Sequence, residues 1–246
     1  MHPHDPILQR RLPETTGLDR LPGTAPVGPA DWILRDEAFA GQMALRDRLI
    51  TERPGDVLRL AAPARDAADE LLDEVLGTVI GRDGYSLGEA RVTRPDGVTV
   101  TIDRAAPLAT AGRLVQEDLC LLTRGESGEH LLTGAVLCFP ASWSLEDKFN
   151  RPLTRIHDPV KEYDGAVARR VQRLFDAIRP AIPLVRFNLL RYADPALHQP
   201  LAEGAHRERP GRGGYLRSER QCLLRLPNTG AVVFSIHTYV VRAPDK

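Results

Sequence analysis

The stretch Leu223-Leu224-Arg225-Leu226-Pro227-Asn228-Thr229-Gly230-Ala231-Val232-Val233-Phe234-Ser235-Ile236-His237-Thr238-Tyr239-Val240-Val241 decides the fold. Ala231 to Val241 is dense in Val, Ile, Phe and Tyr, residues that suit a pleated, half-buried surface. Leu223 to Leu226 is a second apolar run, and the residues between supply turn chemistry. Two strands joined by a short turn are predicted. Leu226-Pro227-Asn228-Thr229-Gly230 looks like a cell-wall sorting signal, yet the apolar stretch behind it is only about half a membrane span. It is read as a turn.

Outward from that pair, Leu184 to Tyr192 and Leu131 to Phe139 read as strands. Val115 to Leu122 fits strand or helix, with strand preferred. Ala90 to Thr93 and Val98 to Ile102 alternate around the Asp96-Gly97 turn as a hairpin. Helical spacing runs from Glu37 to Ile50 (Phe39, Met43, Leu45, Leu49 and Ile50) and after Pro63 (Leu71, Leu72, Val75, Leu76, Val79 and Ile80). Gly81 and Gly84 close the second. Pro107 to Arg113 is a short helix, and Ser144 caps another through Phe149. Asp158 and Pro159 open a longer helix carrying Val160, Tyr163, Val167, Val171, Leu174, Phe175 and Ile178. The plan is α+β, an antiparallel sheet with flanking helices. Residues 1–30, rich in Pro and Gly, form an extended arm; 31–246 form a single domain.

The 246 residues carry 33 Lys+Arg and 33 Asp+Glu, so the formal charge is zero. That argues against a protein built to coat nucleic acid or an acidic membrane. Glu208 and Glu219 interrupt the arginine-rich run from Arg207 to Arg220, and Tyr215 is its only stacking platform. No nucleic-acid or membrane partner is expected. Three scattered cysteines, Cys120, Cys138 and Cys222, give neither a disulfide framework nor a zinc spacing. With no apolar leader at the start, they suit a reduced, cytoplasmic setting. Walker, dinucleotide, nucleophile-elbow and zinc-protease motifs are absent. Gly211, Gly213 and Gly214 read as a loop.

His157 lies before the helix opened by Asp158-Pro159, where exposed N–H groups disfavour imidazolium. A neutral imidazole is what a metal requires; the other reading is a hydrogen bond across a turn. No second ligand is spaced nearby, so a metal there takes its remaining ligands from distant residues or from a macrocycle such as haem. In Leu216-Arg217-Ser218-Glu219-Arg220-Gln221, strand periodicity puts Arg217, Glu219 and Gln221 on one face and Ser218 and Arg220 on the other. A buried Glu anchors an arginine or meets an amine, and an arginine holds a carboxylate such as a haem propionate. Glu117 and Asp118 point to opposite faces and make no glycosidase pair. Asn188, Tyr192, His198, His237 and Tyr239 are further candidate pocket residues.

Val115-Gln116-Glu117-Asp118-Leu119-Cys120, Cys138-Phe139-Pro140 with Trp143, Ile156-His157-Asp158-Pro159-Val160, Arg217-Ser218-Glu219-Arg220-Gln221, Leu226-Pro227 and Thr229-Gly230-Ala231-Val232-Val233-Phe234 together resemble the haem-dependent oxidative N-demethylase family. The likeness runs from Trp32 to Tyr239. It implies a PAS-like domain enclosing haem b, with His157 as the axial iron ligand. It further implies oxidative demethylation of a small secondary amine such as dimethylamine, using O₂ and releasing formaldehyde. Electrons come from NADPH through flavin and iron–sulfur centres on reductase partner subunits; this chain is the haem-bearing catalytic subunit. Glu219 is the expected amine or proton contact. Arg217 or Arg220 are expected at the haem or its propionates, Arg217 equally in the distal pocket, and Asn188 and His237 around the cofactor. Leu189 stands where relatives carry tryptophan, and His237 where arginine is common. The competing reading is a non-catalytic haem-binding sensor or ligand-binding module of PAS type.

Overall fold

The C-terminal hairpin is the spine of the protein. A computed structural model describes residues 5–13, 23–158, 165–205 and 213–244. In chain order these form β1 (Ala25–Pro26), α1 (Phe39–Glu52), α2 (Pro54–Val57), β2 (Leu58–Leu60), α3 (Arg65–Val79), β3 (Ser86–Leu87), β4 (Arg91–Thr93), β5 (Thr99–Thr101) and α4 (Pro107–Gly112). There follow β6 (Asp118–Arg124), β7 (His130–Val136), α5 (Leu145–Lys148), α6 (Leu153–His157), α7 (Gly165–Ala177), β8 (Leu184–Tyr192), β9 (Tyr215–Arg225) and β10 (Val232–Arg242). Seven strands build one sheet in the order β1-β8-β9-β10-β6-β7-β2. Every neighbouring pair in it is antiparallel.

The expected turn joins β9 to β10, with Gly230 at φ +71°, a value an L side chain rarely adopts. Leu226 and Ala231 close it, and the Glu70 carboxylate of α3 accepts the N–H groups of Asn228 at 2.7 Å and Thr229 at 2.8 Å. β10 lies between β9 and β6 and is buried on both faces. This explains its almost continuous apolar run where a one-sided strand would alternate. On the first face α1, α3 and α4 pack through Leu49, Leu71, Val75, Leu108 and Ala111 onto Leu121, Cys222 and Val233. On the second, α5, α6 and α7 pack through Leu145, Leu153 and Phe175 onto Cys120, Leu137 and Ile236.

Several expectations shift. The hairpin at Asp96-Gly97 forms, but it joins Ser86–Leu87 in a separate three-stranded sheet. In α1 the buried set includes Gln42 and Arg46 while Leu45 is only half-buried, because the helix faces a polar network as well as the core. Ile80, assigned to the α3 stripe, is 44% exposed beyond the helix end. Asp158 has helical dihedrals (φ −46°, ψ −39°) and follows α6, so it lacks the extended backbone of an N-cap. Pro159, Val160 and Tyr163 lie outside the described residues, as does Gly211. Within α7, Phe175 is buried, whereas Val167, Val171 and Leu174 are half-buried.

Candidate functional site

Paired residues of antiparallel strands share a face. Arg217, Glu219 and Gln221 of β9 therefore stand on the second face, as their alternation predicts, beside Arg186 and Asn188 of β8 and Ile236 and Thr238 of β10. Glu219 is 6% exposed. Asn188 Nδ2 donates to its Oε2 at 2.8 Å and Gln221 Nε2 to the same oxygen at 2.9 Å. Asn188 Oδ1 in turn accepts the Glu219 backbone N–H at 2.8 Å. Arg217 Nη2 lies 3.9 Å from Glu219 Oε1. Its stronger bonds go to the carbonyls of Phe139 (2.7 Å) and Leu197 (3.0 Å), so it staples β9 to the chain after β7 and after β8. Thr238 of β10, directly opposite Glu219, has a buried hydroxyl with no hydrogen-bond partner among the described residues.

His157 is the last residue of α6, packed towards this same face. Its Nδ1 lies 2.8 Å from the Leu153 carbonyl, one turn back. A carbonyl only accepts, so Nδ1 carries the proton and the Nε2 lone pair is directed elsewhere. Burial holds the imidazole pKa below its ordinary value, and the positive charges of Lys148 and Arg186 add to that, against the Leu153 hydrogen bond. Burial and two cations disfavour the imidazolium here, where a helix N-terminus was expected to do so. Lys148 Nζ donates to the Ile156 carbonyl at 2.6 Å and pins the end of α6.

His237 and Arg220 project from the opposite face and do not join this group. His237 is fully buried, with Nδ1 2.9 Å from Glu117 Oε1 and Nε2 3.1 Å from Asp36 Oδ2. Burial alone would lower its pKa; the Glu117 charge and the bonds to Asp36 and Glu117 outweigh that and raise it to about 9. Asp36 is drawn down to about 2, its burial outweighed chiefly by the His237 hydrogen bond and charge. This is an ion cluster tying the segment before α1 to the sheet. Arg220 Nη2 donates to the Asp31 carbonyl at 2.7 Å in the same region. Asp118 accepts from Arg46 at 2.6 Å and from the N–H groups of Cys138 and Phe139, a role in holding the chain after β7. Tyr239 stacks near His237 with ring centroids 4.7 Å apart. Tyr192 lies under the Arg217 guanidinium, 5.7 Å away. His198 Nδ1 meets the Cys138 carbonyl at 2.8 Å.

Two residues of the second face escaped the sequence reading. Arg186 sits two positions before Asn188 on β8, so strand periodicity contained the signal for it. Lys148 carried none, since its bond to Ile156 depends on how α5 and α6 fold back. A cavity of about 420 Å³ lies elsewhere, beside Ile33, Val79 and Tyr85. Its arginines, Arg35 and Arg82, are bonded to the carbonyls of Asp83, Ile33 and Ala30. Among the described residues no group of three His, Cys, Asp or Glu side chains is placed to hold a metal ion. No helix among them is long and apolar enough to cross a membrane.

The family described as "Haem-dependent oxidative N-demethylase, alpha subunit-like" matches residues 23–245. The chain belongs to that family. The match takes in every element from β1 to β10, and thus both faces of the sheet. For this haem-dependent oxidative N-demethylase alpha-subunit-like chain, the description points to an oxidoreductase that uses haem and acts with other subunits.

Proposed function

We propose that this chain is the haem-bearing subunit of an oxidative N-demethylase, with haem b held on the second face of a PAS-like domain and His157 as its axial ligand. The observation that carries the reading is the His157 ring. It is half-buried, burial holds its pKa below the ordinary value, and the Leu153 carbonyl fixes the tautomer whose lone pair is on Nε2. The surrounding residues fit the group. Phe234, Ile156 and Leu174, only partly buried, offer apolar surface for a flat macrocycle, while the half-buried Arg186 guanidinium offers hydrogen-bond donors at one end. Bound there, haem supplies the electron-transfer and O₂ chemistry that side chains lack.

The reaction joins a secondary amine of the dimethylamine kind, O₂, two electrons and two protons, and yields the smaller amine, formaldehyde and water. Glu219 is the amine contact: its buried carboxylate accepts an N–H and is held in place by Asn188 and Gln221. Holding the amine in one orientation converts an encounter into a near-attack geometry. Thr238 and Glu219 are the groups able to pass protons at that spot. Arg217 holds the strand behind them. Arg220 and His237 act from the opposite face by fixing the segment before α1, and no cofactor contact is assigned to them. Three buried, separate thiols leave the flavin and iron–sulfur centres to partner chains that draw on NADPH in the cytoplasm.

The experiment is absorption spectroscopy of protein loaded with haem, followed by an assay for NADPH-dependent formaldehyde release from dimethylamine with reductase partners. A Soret band and turnover support the enzyme. A Soret band with gas binding and no turnover would instead make it a sensor. His157→Ala should lose the band while keeping its far-ultraviolet circular dichroism, and a normal Soret band in that variant sinks the ligand assignment.

A further inference from the structure

Among the described residues, the buried and half-buried cations of the second face are engaged, with one exception. Arg217 is bonded to Phe139 and Leu197, Lys148 to Ile156, and Arg225 to Ile178 and Gly230. The guanidinium of Arg186 makes no hydrogen bond or ion pair among the described residues. Yet it is half-buried, opposite Gln221 and diagonal to Glu219 on the same face, and close enough to His157 for its charge to act there. Glu219 does not neutralise it by contact, since its carboxylate is taken up by Asn188 and Gln221 and its nearest cation is Arg217. Burial lowers the Arg186 pKa, with Glu219 working against it, the mark of a cation partly stripped of water and left without a contact partner. A guanidinium presents its N–H groups as a planar fork that matches a carboxylate bidentately.

We propose that Arg186 is the carboxylate-binding residue of this pocket and that the carboxylate it takes is a haem propionate. The inference rests on the reading of His157 as haem ligand. It assigns the propionate to a residue of β8 and leaves Arg217 and Arg220 to their backbone partners.

The test titrates the apoprotein and its Arg186→Met and Arg186→Lys variants with haem b and with haem b dimethyl ester, whose propionates are capped. The wild type should bind haem b about 10- to 100-fold more tightly than the diester, the worth of a charge-assisted pair. Arg186→Met should lose that factor for haem b and leave the diester unchanged. Arg186→Lys, which keeps the charge without the fork, should fall between. Arg186→Met binding haem b as tightly as the wild type overturns the proposal and leaves His157 standing. Equal losses for both haems mark a merely structural role and also overturn it. Equal binding of both haems by the wild type means that any carboxylate at Arg186 comes from another molecule, again overturning it. A wild type that binds neither haem overturns the His157 reading together with this one.

Discussion

Asn188 and Glu219 clasp each other across β8 and β9 by two hydrogen bonds of 2.8 Å, side chain to side chain and side chain to backbone. The pair is reciprocal: the amide nitrogen serves the carboxylate, and the amide oxygen serves the Glu219 N–H. One residue thus serves both the carboxylate, alongside Gln221, and the backbone of Glu219 on the second face. Asn188→Ala removes both bonds and leaves buried groups unpaired. It should cost about 1–3 kcal/mol of folding stability. Urea unfolding measures it, and an unchanged midpoint would count against the clasp.

Thr238 stands directly opposite Glu219 with a buried hydroxyl that bonds nothing among the described residues. Thr238→Val keeps the shape and discards the stranded donor. The apoprotein should become more stable by about 1 kcal/mol. If that hydroxyl serves the reaction, formaldehyde formation falls at the same time. A less stable variant would show that the hydroxyl has a partner after all.

The cluster of His237, Asp36 and Glu117 makes stability depend on pH in a defined direction. His237 titrates near 6.5 when unfolded and at about 9 when folded, so its contribution is complete below pH 6.5 and is lost as pH rises through 9. The loss should be on the order of 3 kcal/mol. Asp36 behaves in the opposite sense: its folded value of about 2 lies below 3.8, so its contribution is present above pH 3.8 and fades as pH falls through 2. His237→Gln should flatten the alkaline decline, as read from denaturant midpoints at pH 6 and pH 10. A decline of the same size in the variant would assign it to other groups.

Arg46 and Asp118 form an ion pair at 2.6 Å with no exposed surface on either side chain. Arg46→Met fills similar space but strands a buried carboxylate that also accepts two backbone N–H groups. A destabilisation of about 3–5 kcal/mol is expected. A melting temperature within a degree of the wild type would exclude this.

Gly213 lies where β9 begins, and a Cβ there would sit 2.0 Å from the Tyr192 carbonyl oxygen. Gly213→Ala must therefore push β8 and β9 apart at that end, at a cost of about 1–3 kcal/mol. Differential scanning calorimetry of the variant checks this, and Gly214, with open space at its Cβ, provides the control.

Much of the second face was legible because strand alternation is a local property of the backbone. Period two placed Arg217, Glu219 and Gln221 together and Arg220 apart, whatever the rest of the chain does. The same rule, applied to β8 from Asn188, reaches Arg186. His157 illustrates the limit. Its neutrality was inferred from a helix beginning at Asp158, yet Asp158 is the flank of a short helix that His157 itself ends. The imidazolium is disfavoured first by burial and then by the charges of Lys148 of α5 and Arg186 of β8, and neither the burial nor these neighbours is set locally.

The sequence alone therefore determined the long strands β8 to β10, the helices α1 and α3, and the turn that joins β9 to β10, since these follow from residue type and spacing within a few positions. Only the tertiary structure decided which charges are spent on holding the fold. Glu117, Asp118, Arg220 and His237 are taken by partners on distant segments, while Arg186 is left unengaged among the described residues. Partner choice is a long-range outcome: a buried charge accepts whichever donor the packing of the whole chain brings within reach, and no local spacing encodes that.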